Sequence, residues 1–425
     1  MKSQKFIIWI TLILLLSVSC NKKMTAHHSQ LMVNSKIAMS EPYVILISLD
    51  GFRWDYVQRF KPPQLTQFIK NGVSAESLIP SFPSKTFPNH YTIATGMYPD
   101  KNGILGNSFF DYNSGLTYSI NNRERVEDGQ FYKGTPIWVQ ATKAGMVTAS
   151  YFFVGSEAKI QGIRPSYYYN YEEVENQKRV TQALNWLALP AIKRPHLITL
   201  YFSDMDTMGH DFSPSNDAVL KPTLFKLDEV LGQLFKGAKN STLPVNIIIV
   251  SDHGMMNIPV DHLIPFESIQ DNDKYLAIDN GAIINIHPKD KSQTPSILKN
   301  LKIKAKMQHF KVYKTENTPG FEYIPKDKNW GEIQVVVDKG YYFLESDKIK
   351  LKKESGNILF GAHGFDPKNK EMQGIFYANG PALKKGVSIP SFKNIHIYPI
   401  LCKILGLDIP DDIDGDIEVL KNILK

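Results

Sequence analysis

Asp206-Thr207-Met208-Gly209-His210 sets a carboxylate and an imidazole four residues apart. On a helix that spacing presents both to one side; in a tight loop, Gly209 would ease the turn. Asp252-His253-Gly254 is a second Asp/His pair, Ala362-His363-Gly364-Phe365-Asp366 carries a third imidazole, and Asp50 is a further carboxylate. Together these make two three-ligand sites with open positions. Oxygen and nitrogen ligation without thiolate suits zinc, and ligand type alone also admits manganese, iron or cobalt. Any one pair would more commonly be structural. The set is what points to metal.

A metal needs something to activate. Pro80-Ser81-Phe82-Pro83-Ser84-Lys85-Thr86-Phe87-Pro88-Asn89-His90-Tyr91 leads into Thr92-Ile93-Ala94-Thr95-Gly96. Pro88 suits the first turn of a helix, which places Thr86 at or beside a helix N-terminus, where unpaired amides favour an anion. A threonine hydroxyl is a weak nucleophile at neutral pH unless a metal lowers its pKa. The bland role for such a threonine is a helix cap.

These residues must be carried to one place. Tyr43 to Leu49 is a continuous apolar run ending at Asp50, His196 to Phe202 a second run shortly before Asp206, and Val245 to Val250 a third ending at Ser251-Asp252. Continuous apolar runs read as buried strands of a parallel sheet. Helical segments are expected between them over 136–145, 172–187 and 216–235. That alternation predicts an α/β sandwich around a mainly parallel sheet. Open sheets of this kind place their sites beyond the carboxyl ends of the strands, where all three carboxylates fall. Residues 255–345 are richer in Lys, Asp and Asn and read as an inserted lobe on a catalytic domain spanning 41–425.

Composition sets broad limits. The 425 residues are 43% hydrophobic and 21% charged, with a formal charge of +7. The basic residues are scattered, which argues against a dedicated nucleic-acid surface. Residues 1–20 differ in kind. Lys2 and Lys5 precede an apolar run, Phe6 to Leu16, that closes on Ser17-Val18-Ser19-Cys20. The run is short for a membrane span and has the layout of a secretory signal. A cysteine after small residues resembles a bacterial lipobox, with Ser17 where leucine is usual. Cys20 is therefore expected to be lipidated, residues 21–40 to form a flexible tether, and the protein to be exported and held at a membrane of the cell envelope. Plain secretion is the alternative. Cys402, within an apolar helical stretch over 395–407, is expected to be a buried, inert thiol.

Lys85-Thr86-Phe87-Pro88-Asn89-His90-Tyr91 and Ala94-Thr95-Gly96-Met97-Tyr98-Pro99 resemble the signature of the nucleotide pyrophosphatase/phosphodiesterase family, in the alkaline phosphatase superfamily. The resemblance continues through Asn102 to Asn107, Pro136-Ile137-Trp138, Leu200 to Phe202 with Asp206 to His210, Ser251 to Met255, and Gly361 to Gly364. It implies an alkaline-phosphatase-like sandwich and two zinc ions per chain. One zinc would take Asp206, His210 and His363; the other Asp50, Asp252 and His253, with Thr86 beside it. It further implies Thr86 as nucleophile through a phosphoryl-threonine intermediate, and Asn107 as donor to a non-bridging phosphoryl oxygen. Phe87, Tyr201 and Tyr171 would be aromatics around a nucleobase, and Lys85 a cation near the phosphate. Ser108 replaces a lysine common in the family, which leaves recognition of further phosphates open.

The implied substrates are nucleotide-type phosphodiesters and pyrophosphates. A lipid-headgroup (choline-type) diester and a phosphomonoester are the alternatives within the superfamily, and a catalytically inactive binding protein on the same fold a remoter one. The sequence argues against sulfatase chemistry, because no Cys or Ser followed by x-Pro-x-Arg occupies the nucleophile segment.

Overall fold

The computed structural model describes His27–His28 and residues 33–425. The expected signal segment and Cys20 lie outside the described residues. Of the stretch read as a tether, Asn34 and Ala38 are buried on the domain, and Asn34 Nδ2 donates to the carbonyls of Ala191 and Arg194 at 2.8 and 2.7 Å.

The frame is a nine-stranded sheet in the order His27–His28, Tyr167–Tyr169, Thr148–Tyr151, Leu197–Phe202, Tyr43–Leu49, Val245–Val250, Phe376–Asn379, Val73–Ala75, Val387–Ile389. The Tyr167, Thr148, Leu197, Tyr43 and Val245 strands run parallel to one another. Antiparallel pairing is confined to His27–His28 and to the two sides of Phe376–Asn379. The expected sandwich with a mainly parallel sheet is the observed architecture.

Successive side chains of a strand point to opposite faces, and here both faces are covered. Val44 and Leu46 join one core with Ile248 and Val250, under the helices Thr86–Thr95, Ile137–Lys143 and Ile397–Ile404. Ile45, Ile47 and Leu49 join the other with Ile198, Leu200 and Phe202, under Asn176–Leu187 and Asp217–Asn240. Hence the unbroken apolar runs. Cys402 is fully buried on the first face, and burial pushes its thiol up to about 12.

Register converts this sheet into a scaffold. Ser48 pairs with Val250 on one side and Tyr201 on the other, and Leu49 pairs with Phe202. The three strands therefore end level, and the segments bearing Asp50, Asp252 and Asp206 leave from one edge. Residues 255–345 form their own small sheet, Tyr275–Asp279, Ile283–Pro288, Ile333–Val337 and Phe310–Lys314, antiparallel throughout and backed by the helix Thr294–Ala305. Its core is continuous with Phe360 and Ala362, on the strand that leads into His363. Among the described residues no helix is long and apolar enough to cross a membrane.

Candidate active site

Asp206 and His210 lie on the helix Asp204–Phe212, so the four-residue spacing works as a helical pair: His210 Nε2 is 3.4 Å from Asp206 Oδ1. Gly209 serves packing rather than a turn. A methyl at Gly209 would strike Met255 Sδ, and one at Gly361 would strike the Gly209 carbonyl. This close approach lets His210 Nδ1 reach the Gly361 carbonyl at 2.8 Å. His363, two residues on, then stands 4.0 Å from Asp206.

The three histidines share one arrangement. His210 Nδ1 donates to Gly361 O, His253 Nδ1 to Gly254 O at 2.8 Å, and His363 Nδ1 to Ser84 O at 2.9 Å. A carbonyl accepts only, so each Nδ1 carries a proton, and in the neutral ring it is Nε2 that offers a lone pair. That is the tautomer control expected behind metal-ligating histidines. The His253 and His363 rings stack at 3.6 Å.

The carboxylates complete the set. His253 Nε2 lies 3.0 Å from Asp252 Oδ2 and 3.6 Å from Asp50 Oδ1. Ligand atoms converge within 4.8 Å in the groups Asp206/His210/His363, Asp50/Asp206/His253 and Asp50/His90/Asp252. One oxygen of each carboxylate, Asp50 Oδ1, Asp206 Oδ1 and Asp252 Oδ2, is buried without a hydrogen-bond donor. Buried carboxylate oxygens without partners cost several kcal/mol each, on the order of the penalty for stranded charge. Divalent cations would remove that cost, and the donor set of oxygen and imidazole nitrogen fits them. The remaining oxygens are held: Tyr201 Oη donates to Asp50 Oδ2 at 2.5 Å, and the Gly51 amide to Asp252 Oδ1 at 3.2 Å.

Electrostatics repeats the point. Burial, then the charges of Asp252 and Asp206, raises Asp50 well above the usual carboxylate range. Burial opposes ionisation of Asp252 too, but the His253 and His90 imidazoles outweigh it and hold that carboxyl down to about 2. Burial, with help from His253 and Lys85, drives His363 well below the ordinary histidine value.

Thr86 opens the helix Thr86–Thr95, with Oγ1 3.2 Å from His253 Nε2. Few amides of that first turn are free for an anion. Phe87 N donates to Asn107 Oδ1 at 3.0 Å, Pro88 has no N–H, and Asn89 N donates to Lys85 O. Fixing its oxygen leaves Nδ2 as the donor Asn107 can offer. Lys85 is buried, with Nζ donating to Tyr342 Oη at 2.8 Å.

Of the three expected pocket aromatics, Tyr171 is 37% exposed, while Phe87 and Tyr201 are 8% and 7% exposed. Tyr201 packs edge-on to Phe152 and tilted against His90, so its contribution here is the hydroxyl on Asp50 and a wall behind Tyr171. The Tyr171 amide donates to Glu157 Oε1 at 2.7 Å, a buried carboxylate also paired with Arg123.

Sequence reasoning passed over His90, which sits one turn beyond Thr86. Its Nδ1 reaches Thr86 O at 2.8 Å and its Nε2 meets Ser48 Oγ at 2.7 Å. Both nitrogens are engaged, which makes His90 a brace for the turn that carries Thr86 rather than a ligand, although it lies 3.4 Å from Asp252. The four-residue spacing from Thr86 was its signal. Phe152, Glu157 and Tyr342 gave none.

The family described as Type I phosphodiesterase / nucleotide pyrophosphatase matches residues 44–366. Venom phosphodiesterase CdcPDE of Crotalus durissus collilineatus is 34% identical over 393 residues, covering 90% of this chain and 46% of that protein. Ectonucleotide pyrophosphatase/phosphodiesterase family member 1 of Mus musculus is 32% identical over 396 residues, covering 90% and 43%. The chain thus spans about half the length of the curated relatives it matches. Murine ectonucleotide pyrophosphatase/phosphodiesterase 5, solved as an inactive threonine-to-alanine variant in complex with AMP, superposes with a TM-score of 0.81 at 30% identity, over 91% of this chain and 100% of that one.

Proposed function

This chain belongs to the Type I phosphodiesterase / nucleotide pyrophosphatase family, and from that premise we propose that it hydrolyses nucleotide-type phosphodiester or pyrophosphate bonds with two zinc ions and Thr86 as nucleophile. The observation that carries the reading is the trio of donor-less carboxylate oxygens facing histidines whose Nδ1 atoms are committed to carbonyls, which leaves each Nε2 as the ligating nitrogen. Asp206, His210 and His363 would hold one ion; Asp50, Asp252 and His253 would hold the other. Bound zinc supplies Lewis acidity, which lowers the pKa of a coordinated hydroxyl and neutralises charge on phosphoryl and leaving oxygens.

The chain's own residues do the rest. Thr86 Oγ1 gives up its proton and attacks phosphorus, and the bond to the leaving oxygen breaks with its electron pair staying on that oxygen. Water then attacks the phosphoryl-threonine: its oxygen bonds phosphorus, the P–Oγ1 bond breaks and one proton of the water passes to Thr86 Oγ1, while the proton Thr86 first released goes to the leaving oxygen. Asn107 donates through Nδ2 to a non-bridging oxygen, where a fixed donor is worth about 10²–10³ in rate. Lys85 places its ammonium beside the same anion. Phe87 and Tyr171 flank the organic group, and stacking of a base on an aromatic contributes about 1–3 kcal/mol. Support for a nucleotide substrate comes from the AMP complex of the murine relative. Export belongs to the same proposal, supported by the venom and ecto-enzyme names of the relatives.

The test is a substrate panel of dinucleotides, nucleoside triphosphates, cyclic nucleotides, glycerophosphodiesters, p-nitrophenyl thymidine monophosphate and p-nitrophenyl phosphate, run on wild type and Thr86→Ala. Nucleotide diesters should be turned over best, and Thr86→Ala should abolish their hydrolysis. Full activity in Thr86→Ala, or preference for the monoester, would overturn the reading.

A further inference from the structure

Asn107 is held from three directions: its carbonyl accepts from Ile120 N at 3.0 Å, its side chain bonds the segment that follows Thr86, and the inserted lobe holds its flank. Its side-chain oxygen accepts from Phe87 N. Its backbone lies between Gly106 and Ser108, and one residue of the inserted lobe hydrogen-bonds Ser108 and packs on Gly106. Asn280, 5% exposed, accepts from Ser108 N through Oδ1 at 3.1 Å and donates to Ser108 O through Nδ2 at 2.9 Å. The same amide lies flat against Gly106, where a methyl would come within 2.7 Å of Asn280 Oδ1. A side-chain amide here bonds a peptide in both directions, as a neighbouring strand would.

The turn that carries it also reaches the nucleophile segment. Gly281, at φ 74°, leaves no room for a side chain because the Tyr342 ring occupies that space, and Tyr342 Oη receives the Lys85 ammonium. The lobe thus touches two chain segments that would present donors to the phosphoryl group.

We propose that Asn280 is a positioning residue for phosphoryl transfer, setting the Asn107 amide from the inserted lobe. This rests on the proposed role of Asn107. A second asparagine of the lobe supplies a matched control. Asn329, 4% exposed, also holds the hairpin that Ser108–Asp111 forms with Leu116–Ser119, accepting from Tyr112 N at 2.9 Å and donating to Asp111 Oδ1 at 2.8 Å. It removes comparable bonds when truncated, but at the end of the strand Ser108–Asp111 away from Asn107.

The experiment measures kcat and KM for p-nitrophenyl thymidine monophosphate, Tm, and orthovanadate inhibition in Asn280→Ala, Asn329→Ala, Asn107→Ala and the Asn107→Ala/Asn280→Ala double variant. Both lobe variants should lose similar Tm. Asn280→Ala alone should lower kcat by about 10- to 100-fold, the scale of a misplaced catalytic group, with vanadate affinity falling in parallel and KM changing by less than about threefold. In the Asn107→Ala background that loss should largely vanish, because groups acting as a unit are non-additive. An additive double variant, an equal kcat loss in Asn329→Ala, or wild-type kcat in Asn280→Ala would overturn the proposal. An Asn107→Ala variant with wild-type kcat would remove its basis. The phosphodiesterase reading itself would still stand or fall on Thr86→Ala.

Discussion

Tyr201, expected from the family resemblance to stack on a nucleobase, carries a second function through its hydroxyl. Its place after a buried strand and the family resemblance both put it at the pocket, and both suggested a stacking face. The hydroxyl, at 2.5 Å from Asp50 Oδ2, engages one oxygen of that carboxylate and leaves Oδ1 without a donor, the oxygen a cation would take. Nothing in sequence distinguishes a ring that stacks from one that orients a ligand, because the difference lies in which end of the phenol is buried. Tyr201→Phe keeps the ring and removes the donor. It should weaken zinc binding by about 10- to 100-fold in a competition titration with a chromogenic chelator, the usual cost of losing a partner behind a ligand. Unchanged affinity would assign Tyr201 to packing alone.

At the scale of elements, the parallel strands were legible because burial on both faces writes itself as an unbroken apolar run, and Asp50 and Asp252 follow two of them within two residues. Helix ends were less so: the segment expected from 172 begins at Asn176, and that expected to close at 235 continues to Asn240. Glycine packing was not legible either. Gly209 and Gly361 bring a helix and a strand to backbone contact, and His210 and His363 inherit their positions from it. Gly361→Ala should lower Tm and, with every ligand still present, lose zinc at chelator concentrations the wild type tolerates; calorimetry and metal analysis would check both.

The lobe turn carries a pH signature. Burial, opposed by the Gly281 amide and Lys85, pushes Asp279 up to about 7 from an ordinary value near 4. Between those values the folded chain holds a proton the unfolded chain has released, so this group's contribution makes stability fall as pH rises through that window. Asp279→Asn should remove that part of the fall. The variant should gain Tm relative to wild type at pH 8 and little at pH 4, by an amount worth at most a few kcal/mol. Equal shifts at both pH values would contradict the assignment.

For the molecule as a whole, a single edge of one sheet gathers three carboxylates whose mutual repulsion the protein alone does not relieve, and residues 255–345 touch, through Asn280 and Tyr342, the segments bearing Ser108 and Lys85. A ligand that binds only the folded state stabilises it in proportion to the logarithm of its concentration over Kd. Chelation should therefore lower Tm and zinc should restore it, whatever the substrate. The most direct measurement is the zinc content per chain of protein dialysed against trace zinc, by mass spectrometry of the metal. Two ions should be found in the wild type and one in His210→Ala. A wild type that holds none, or a count unmoved by His210→Ala, would contradict the account.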